Sequence, residues 1–192
     1  MCVRYVRSAG GLALIALLAG CGTALPKGGT FHPNGTDQSP LTRPASSSPV
    51  VSGSPAPSAM TTPQLNKSAL DAYRAYQAAY QKAYQTNDPS GLSQVATDPL
   101  LSVVTDDIEK VRAKGEIWQF YNALNPKLQG WTANRSTTWV LDCVWTVALN
   151  KFSARTGKLL QKMPTGKKYY QVELRYGPDG WRAAQAKWGG KC

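Results

Sequence analysis

Few side chains in this sequence are of a type that does chemistry, and those few are scattered. The 192 residues hold one histidine, four cysteines and eleven carboxylates. A nucleophilic serine or cysteine needs a neighbouring base, most often histidine, to take its proton. The single His32 lies in a stretch of Ser, Thr, Pro and Gly with almost no large apolar residues to position it, so it reads as an inert linker residue. The carboxylates near plausible pocket walls are Asp106, Asp107 and Asp142. Asp106 and Asp107 are expected in solvent at a helix start. Asp142 falls mid-strand beside Cys143, either as a partly buried, hydrogen-bonded carboxylate or at the edge of a cavity, and a structural role is favoured over a catalytic one. No metal-ligand spacing, phosphate-binding loop or catalytic triad is present. The residues therefore favour a non-enzyme, and they imply no metal and no cofactor.

The cysteines do not act as a set. Arg4 and Arg7 precede an apolar run from Gly11 to Ala19 that is too short to span a bilayer as a stable helix, which marks a signal peptide. The run ends in Leu18-Ala19-Gly20-Cys21, which resembles the bacterial lipobox. That resemblance implies cleavage after residue 20, a diacylglyceryl group on the Cys21 thiol, and anchoring to the outer face of the cell membrane. Each buried methylene adds about 0.8 kcal/mol, and two chains hold where one does not. Cleavage removes Cys2 and lipidation consumes Cys21. Cys143, mid-strand, and Cys192, after the last strand, remain in a compartment where disulfides persist, and they are expected to bond to each other.

From Cys21 to Pro63 the chain is a tether of Pro, Ser, Thr and Gly, a composition that cannot bury enough surface to offset chain entropy. Its flexible reach is on the order of 35 Å. Residues 64–192 read as one domain. Ser68 is placed as the cap of a first helix, with Ala69, Tyr73, Tyr76, Tyr80, Ala83 and Tyr84 on one face. This tyrosine stripe suits core packing against a sheet, or alternatively the aromatic wall of a ligand pocket. A short helical turn follows at 91–96. Leu101, Val104, Ile108 and Val111 then mark another helix.

Beyond Glu116 the period becomes that of strands, expected at 117–121, 128–133, 137–150, 168–176 and 181–188. The long strand carries Trp139, Leu141, Cys143, Trp145 and Val147 at odd positions and Val140, Asp142 and Val144 at even ones, so it is expected to lie centrally in a sheet covered on both faces. Helices first and an antiparallel meander afterwards define an α+β architecture.

Several short motifs then appear in order: Tyr73-Arg74-Ala75-Tyr76, Asp142-Cys143-Val144, Arg155-Thr156-Gly157-Lys158, Asp179-Gly180-Trp181-Arg182 and Cys192. With the lipobox and tether, this pattern resembles a group of lipoproteins of high-GC Gram-positive bacteria carrying a nuclear transport factor 2-like domain. The resemblance implies a cone, with N-terminal helices packed on a curved antiparallel sheet and a cavity at its wide end. Tyr73, Tyr76, Tyr80, Trp139, Asp142 and Trp145 are the residues assigned to that cavity. The superfamily includes ketosteroid isomerase and polyketide cyclases, which implies as the alternative a small-molecule enzyme using Asp142.

Charge is unevenly placed. Between Leu65 and Asn150 eight basic and eight acidic residues balance, whereas Lys151 to Cys192 holds ten basic against two acidic. Lys158, Lys162, Lys167, Lys168, Arg175, Arg182 and Lys187 are assigned to a basic face that contacts an anionic wall polymer, lipid headgroup or acidic protein partner. Export excludes nucleic acid as the partner.

Overall fold

A computed structural model describes residues 55–192. The signal segment, Cys21, His32 and most of the tether lie outside the described residues. The chain enters through a short 3-10 turn, Pro57–Ala59, into helix α1, Thr62–Thr86. This helix begins earlier than the Ser68 cap expected from sequence. Thr61 accepts from the Gln64 backbone N–H while the Gln64 side chain accepts from the Thr61 N–H, and Pro63 sits in the first turn. This capping box satisfies two otherwise unpaired donors. Ser68 instead donates to the Leu65 carbonyl inside the helix. Asn87 adopts the left-handed conformation and ends α1. A 3-10 turn, Ser90–Gln94, leads to α2, Leu100–Ala113. Asp106 and Asp107 lie in mid-helix, not at its start as expected.

Six strands follow: β1 Glu116–Ala123, β2 Pro126–Trp131, β3 Thr137–Ser153, β4 Leu159–Lys162, β5 Gly166–Gly177 and β6 Gly180–Lys191. The order is β1-β3-β5-β6, with β2 and β4 also paired to β3. All ladders between strands are antiparallel. The strands are not a simple sequential meander, because β3 is long enough to serve β1 and β2 along one edge and β5 and β4 along the other. The sequence reading contained no strand at β4, whose residues are all exposed and carry no alternation.

Both helices pack on one face of the sheet, against β1 and β6. Tyr73, Tyr76, Tyr84, Ile108, Val111, Phe120, Val140, Val144, Tyr170, Val172 and Leu174 form the core between them. The elements that form this core all fall between Pro57 and Lys191, a span of the size at which domains fold as independent units. Even positions of β3 (Thr138, Val140, Asp142, Val144) point into it and odd positions point out. The outer face is uncovered among the described residues: Trp145 is 45% exposed and Val147 is 49% exposed. The expectation of a sheet covered on both faces is corrected accordingly. Apolar residues at both parities record a core on one side and an open aromatic surface on the other. Among the described residues no helix is long and apolar enough to cross a membrane.

Cys143 and Cys192 form the expected disulfide, with Cα atoms 5.9 Å apart. β5 lies between β3 and β6, so the bond ties the residue beyond β6 to β3 across the start of β5.

Candidate functional site

The interior of the cone is filled rather than hollow. Asp142 is 0% exposed. Its Oδ2 accepts from the Tyr73 hydroxyl at 2.8 Å and its Oδ1 from the Asn125 backbone N–H at 2.7 Å. Gln77 Nε2 donates to the Tyr73 hydroxyl at 3.1 Å. One turn further, Tyr76 and Tyr170 share a hydrogen bond of 3.0 Å between hydroxyls. Tyr80 packs its ring against Tyr76, Tyr84 and Phe120. The Tyr84 hydroxyl donates to Asp107. Every polar atom of Asp142 is thus engaged by the fold, as a buried carboxylate requires.

The six residues assigned to a cavity do not share one. Tyr73, Tyr76, Tyr80 and Asp142 belong to the packed interior. Trp139 and Trp145 stand on the outer face of the same strand, because an odd position cannot face the same way as position 142 in regular β-structure. Gln77 and Asn125 were missed from sequence. Gln77 was legible, lying four residues after Tyr73 on the same helical face. Asn125 acts through its backbone, which no side-chain pattern reveals.

Burial holds the hydroxyls of Tyr73, Tyr76, Tyr84 and Tyr170 well above the usual phenol range. The Asp142 charge adds to this at Tyr73, and neighbouring tyrosines add to it at Tyr76 and Tyr84. A raised folded-state pKa gives stability that is complete below the unfolded value near 10 and is lost as pH rises, since only the unfolded chain can then ionise. Each such tyrosine removes about 1.4 kcal/mol per pH unit above that point. Cooperative unfolding is therefore expected between about pH 10 and 11.5, and Tyr76→Phe should shift its midpoint upward relative to its stability at pH 7. Far-UV and near-UV circular dichroism across an alkaline titration reads this directly.

The seven assigned basic residues divide between the two ends of the sheet. Arg175 and Arg182 face each other across the β5–β6 ladder near Tyr176, the end at which the chain enters: the Tyr176 hydroxyl donates to the Pro55 carbonyl. Both arginines are neutralised, Arg175 by Glu173 and Arg182 by Asp179 at 2.9 Å. Lys158, Lys162, Lys167, Lys168 and Lys187 lie toward the other end or in the β3–β4 turn, and none has an acidic partner among the described residues. Lys191 joins them by pairing with Lys168 across β5–β6.

Three of these lysines border a hollow of about 620 Å³ at the inner face of the distal end. Lys167, Lys168 and Lys191 line it together with Trp188, Leu149, Pro164 and two threonines, Thr146 and Thr165. No carboxylate side chain is among the lining residues. A bulge at Tyr121–Asn122 in the β1–β3 ladder shifts the parity of β3, so Leu149 joins the core side opposite buried Phe120. Trp188 lies 4.3 Å from Tyr170, ring centre to ring centre, and remains 51% exposed. Gly189 and Gly190 together oppose Tyr169, and a Cβ on Gly189 would come within 3.1 Å of the Tyr169 Cβ. That contact is tighter than ordinary van der Waals packing, so glycine suits the close approach, and the extra residue brings Lys191 opposite Lys168. Among the described residues, no group of three or more His, Cys, Asp and Glu side chains is gathered to hold a metal.

No family model matches the chain, and no curated protein matches its sequence. Solved structures do resemble it in fold. The intermembrane-space region of the chloroplast protein ARC6 superposes with a TM-score of 0.55 at 11% identity, over 66% of this chain and 97% of that one. A candidate dehydratase of the NTF2-like family from Streptomyces avermitilis gives 0.47 at 13% identity, over 66% and 99%. A protein with a cystatin-like fold from Caulobacter vibrioides gives 0.41 at 13% identity, over 65% and 90%. The domain has the expected α+β cone architecture, with helices followed by a curved antiparallel sheet. At these identities the likeness concerns fold alone.

Proposed function

We propose that this protein is an exported lipoprotein, held to the outer face of the cell membrane through Cys21, whose domain is a non-catalytic module that binds anionic envelope material with the distal end of its sheet. One observation carries the reading. The same β5–β6 ladder opposes two like charges at each end, and only the arginine pair at the chain-entry end is neutralised. Directly opposed like charges destabilise a sheet, so an unneutralised pair beside other free lysines is explained by an external anion. The Cys143–Cys192 bond is consistent with an extracytoplasmic location.

The interior argues against the isomerase-type alternative. Asp142 touches only protein groups and has no exposed atom to offer a substrate. The eight steps along the strand from Lys168 to Tyr176 span about 26 Å. The distal lysines therefore lie far from the point where the chain enters the domain, and the free end of the module is the one that carries the charge.

The test is binding of residues 55–192 to anionic wall polymer or anionic vesicles. Lys167→Glu with Lys168→Glu is expected to weaken it at least tenfold, and rising salt should weaken the parent as the charges are screened. Binding unchanged by both would defeat the reading.

A further inference from the structure

We infer that the distal hollow is a binding site for a single anionic amphiphile, with a phosphate or carboxylate head between Lys168 and Lys191 and a hydrocarbon chain over Trp188 and Leu149. The inference rests on the reading of the distal lysines as an anion-binding surface and adds what lies beneath them.

Three features converge. The first is size: about 620 Å³ lies within the range of small-molecule sites. The second is the division of the lining. Leu149, partly buried against the core, with Pro164 and the half-exposed Trp188 supplies the apolar part of the lining, and the exposed lysines supply the charged part. A polyanion bound by surface charge alone would need no such apolar part. A neutral apolar ligand would need no cations. The Lys167 ammonium leans over the Trp145 ring on the outer face, 5.4 Å from its centre, so Lys168 and Lys191 are the head-group ligands.

The third feature is how the wall is built. Trp188, Lys191 and Cys192 all line the hollow. The Gly189–Gly190 bulge sets their register against β5, and the disulfide fixes the last of them to β3. The segment that places the apolar part of the lining beside the charged part is thus held at both ends, which preorganises the site and lowers the cost of binding.

Alkyl phosphates of increasing length, measured with residues 55–192 by isothermal titration calorimetry, test this. From butyl to octyl phosphate, affinity is expected to rise about fourfold per methylene until the hollow fills. Inorganic phosphate and uncharged octyl glucoside should both bind at least tenfold more weakly than octyl phosphate. Lys168→Gln should lose at least tenfold in octyl phosphate affinity while its denaturation midpoint is unchanged or higher, because a repulsion is removed. A midpoint that falls with affinity would assign Lys168 a structural role and overturn the site.

Affinity indifferent to chain length would end the amphiphile while leaving the anionic surface standing. Chain-length dependence unaffected by Lys168→Gln and Lys191→Gln would defeat the anion reading beneath it. Binding to phosphatidylglycerol vesicles with none to monomeric octyl phosphate would show contact with a bilayer surface and overturn the cavity. Binding to both would identify the membrane lipid as one source of the same chemistry.

Discussion

Asp142→Ala is expected to destabilise the domain by about 3–5 kcal/mol, the range for removing one partner from a buried charged network. The change leaves the Tyr73 hydroxyl, in the buried interior, without the group to which it donates, and the part-buried Asn125 N–H without its acceptor. Asp142→Asn should cost far less, about 1 kcal/mol. Its amide oxygen can keep the Asn125 bond, and its NH₂ can donate to Tyr73 if the Gln77 amide rotates to accept the tyrosine proton. The graded pair separates a structural carboxylate from a catalytic one. A structural residue gives a large loss of stability for alanine and a small one for asparagine. A catalytic acid would give two stably folded variants, both inactive. Urea denaturation of the three proteins makes the comparison.

The second large effect is expected at the disulfide. Cys143 and Cys192 are 49 positions apart, and closing a loop of that length removes unfolded-state entropy worth about 4 kcal/mol. Cys143→Ser with Cys192→Ser should lower stability by about that amount. It should also weaken anion binding more than the stability loss accounts for, because Cys192 closes the wall that carries Trp188 and Lys191. Chemical denaturation under oxidising and reducing conditions reads the first effect. Ligand titration well below the denaturation midpoint reads the second. An oxidised protein no more stable than the reduced one would contradict the role given to this bond.

Periodicity made much of the fold legible. The helical stripe from Ala69 to Tyr84 states which residues face inward, and the structure buries most of them, while the period of two beyond Glu116 marks β3, β5 and β6 as strands without stating which face of β3 is the inner one. The start of α1 was also written in the sequence, in the spacing of Thr61 and Gln64 with Pro63 between them, but Ser68 offered a competing cap. β4 was not legible as a strand: the Arg155-Thr156-Gly157-Lys158 turn signals a hairpin, but the four exposed residues after it, paired to the far end of β3, show no apolar periodicity.

The site was less legible, for a geometric reason. Membership of the C-terminal basic cluster is a count along the chain, whereas the end of the strand at which each charge falls is decided by register. Arg175 and Lys168 are neighbours in that count, yet one is neutralised by Glu173 beside the chain entry and the other opposes Lys191 in the lining of the hollow. Parity alone would have kept Trp139 and Trp145 apart from Asp142. Chain processing, to which the lipobox speaks, concerns residues outside those described.

The central claim is that recognition belongs to the distal end of the sheet. It is tested most directly by comparing two charge-altered proteins in one anion-binding assay at low and physiological salt. Lys168→Gln with Lys191→Gln removes the unneutralised pair, and Arg175→Gln with Arg182→Gln removes the neutralised pair at the chain-entry end. Both lower the formal charge equally. The account predicts at least a tenfold loss of affinity for the first and less than a twofold change for the second. Equal losses would show that only net charge matters, and a greater loss from the arginine pair would place recognition at the opposite end of the molecule.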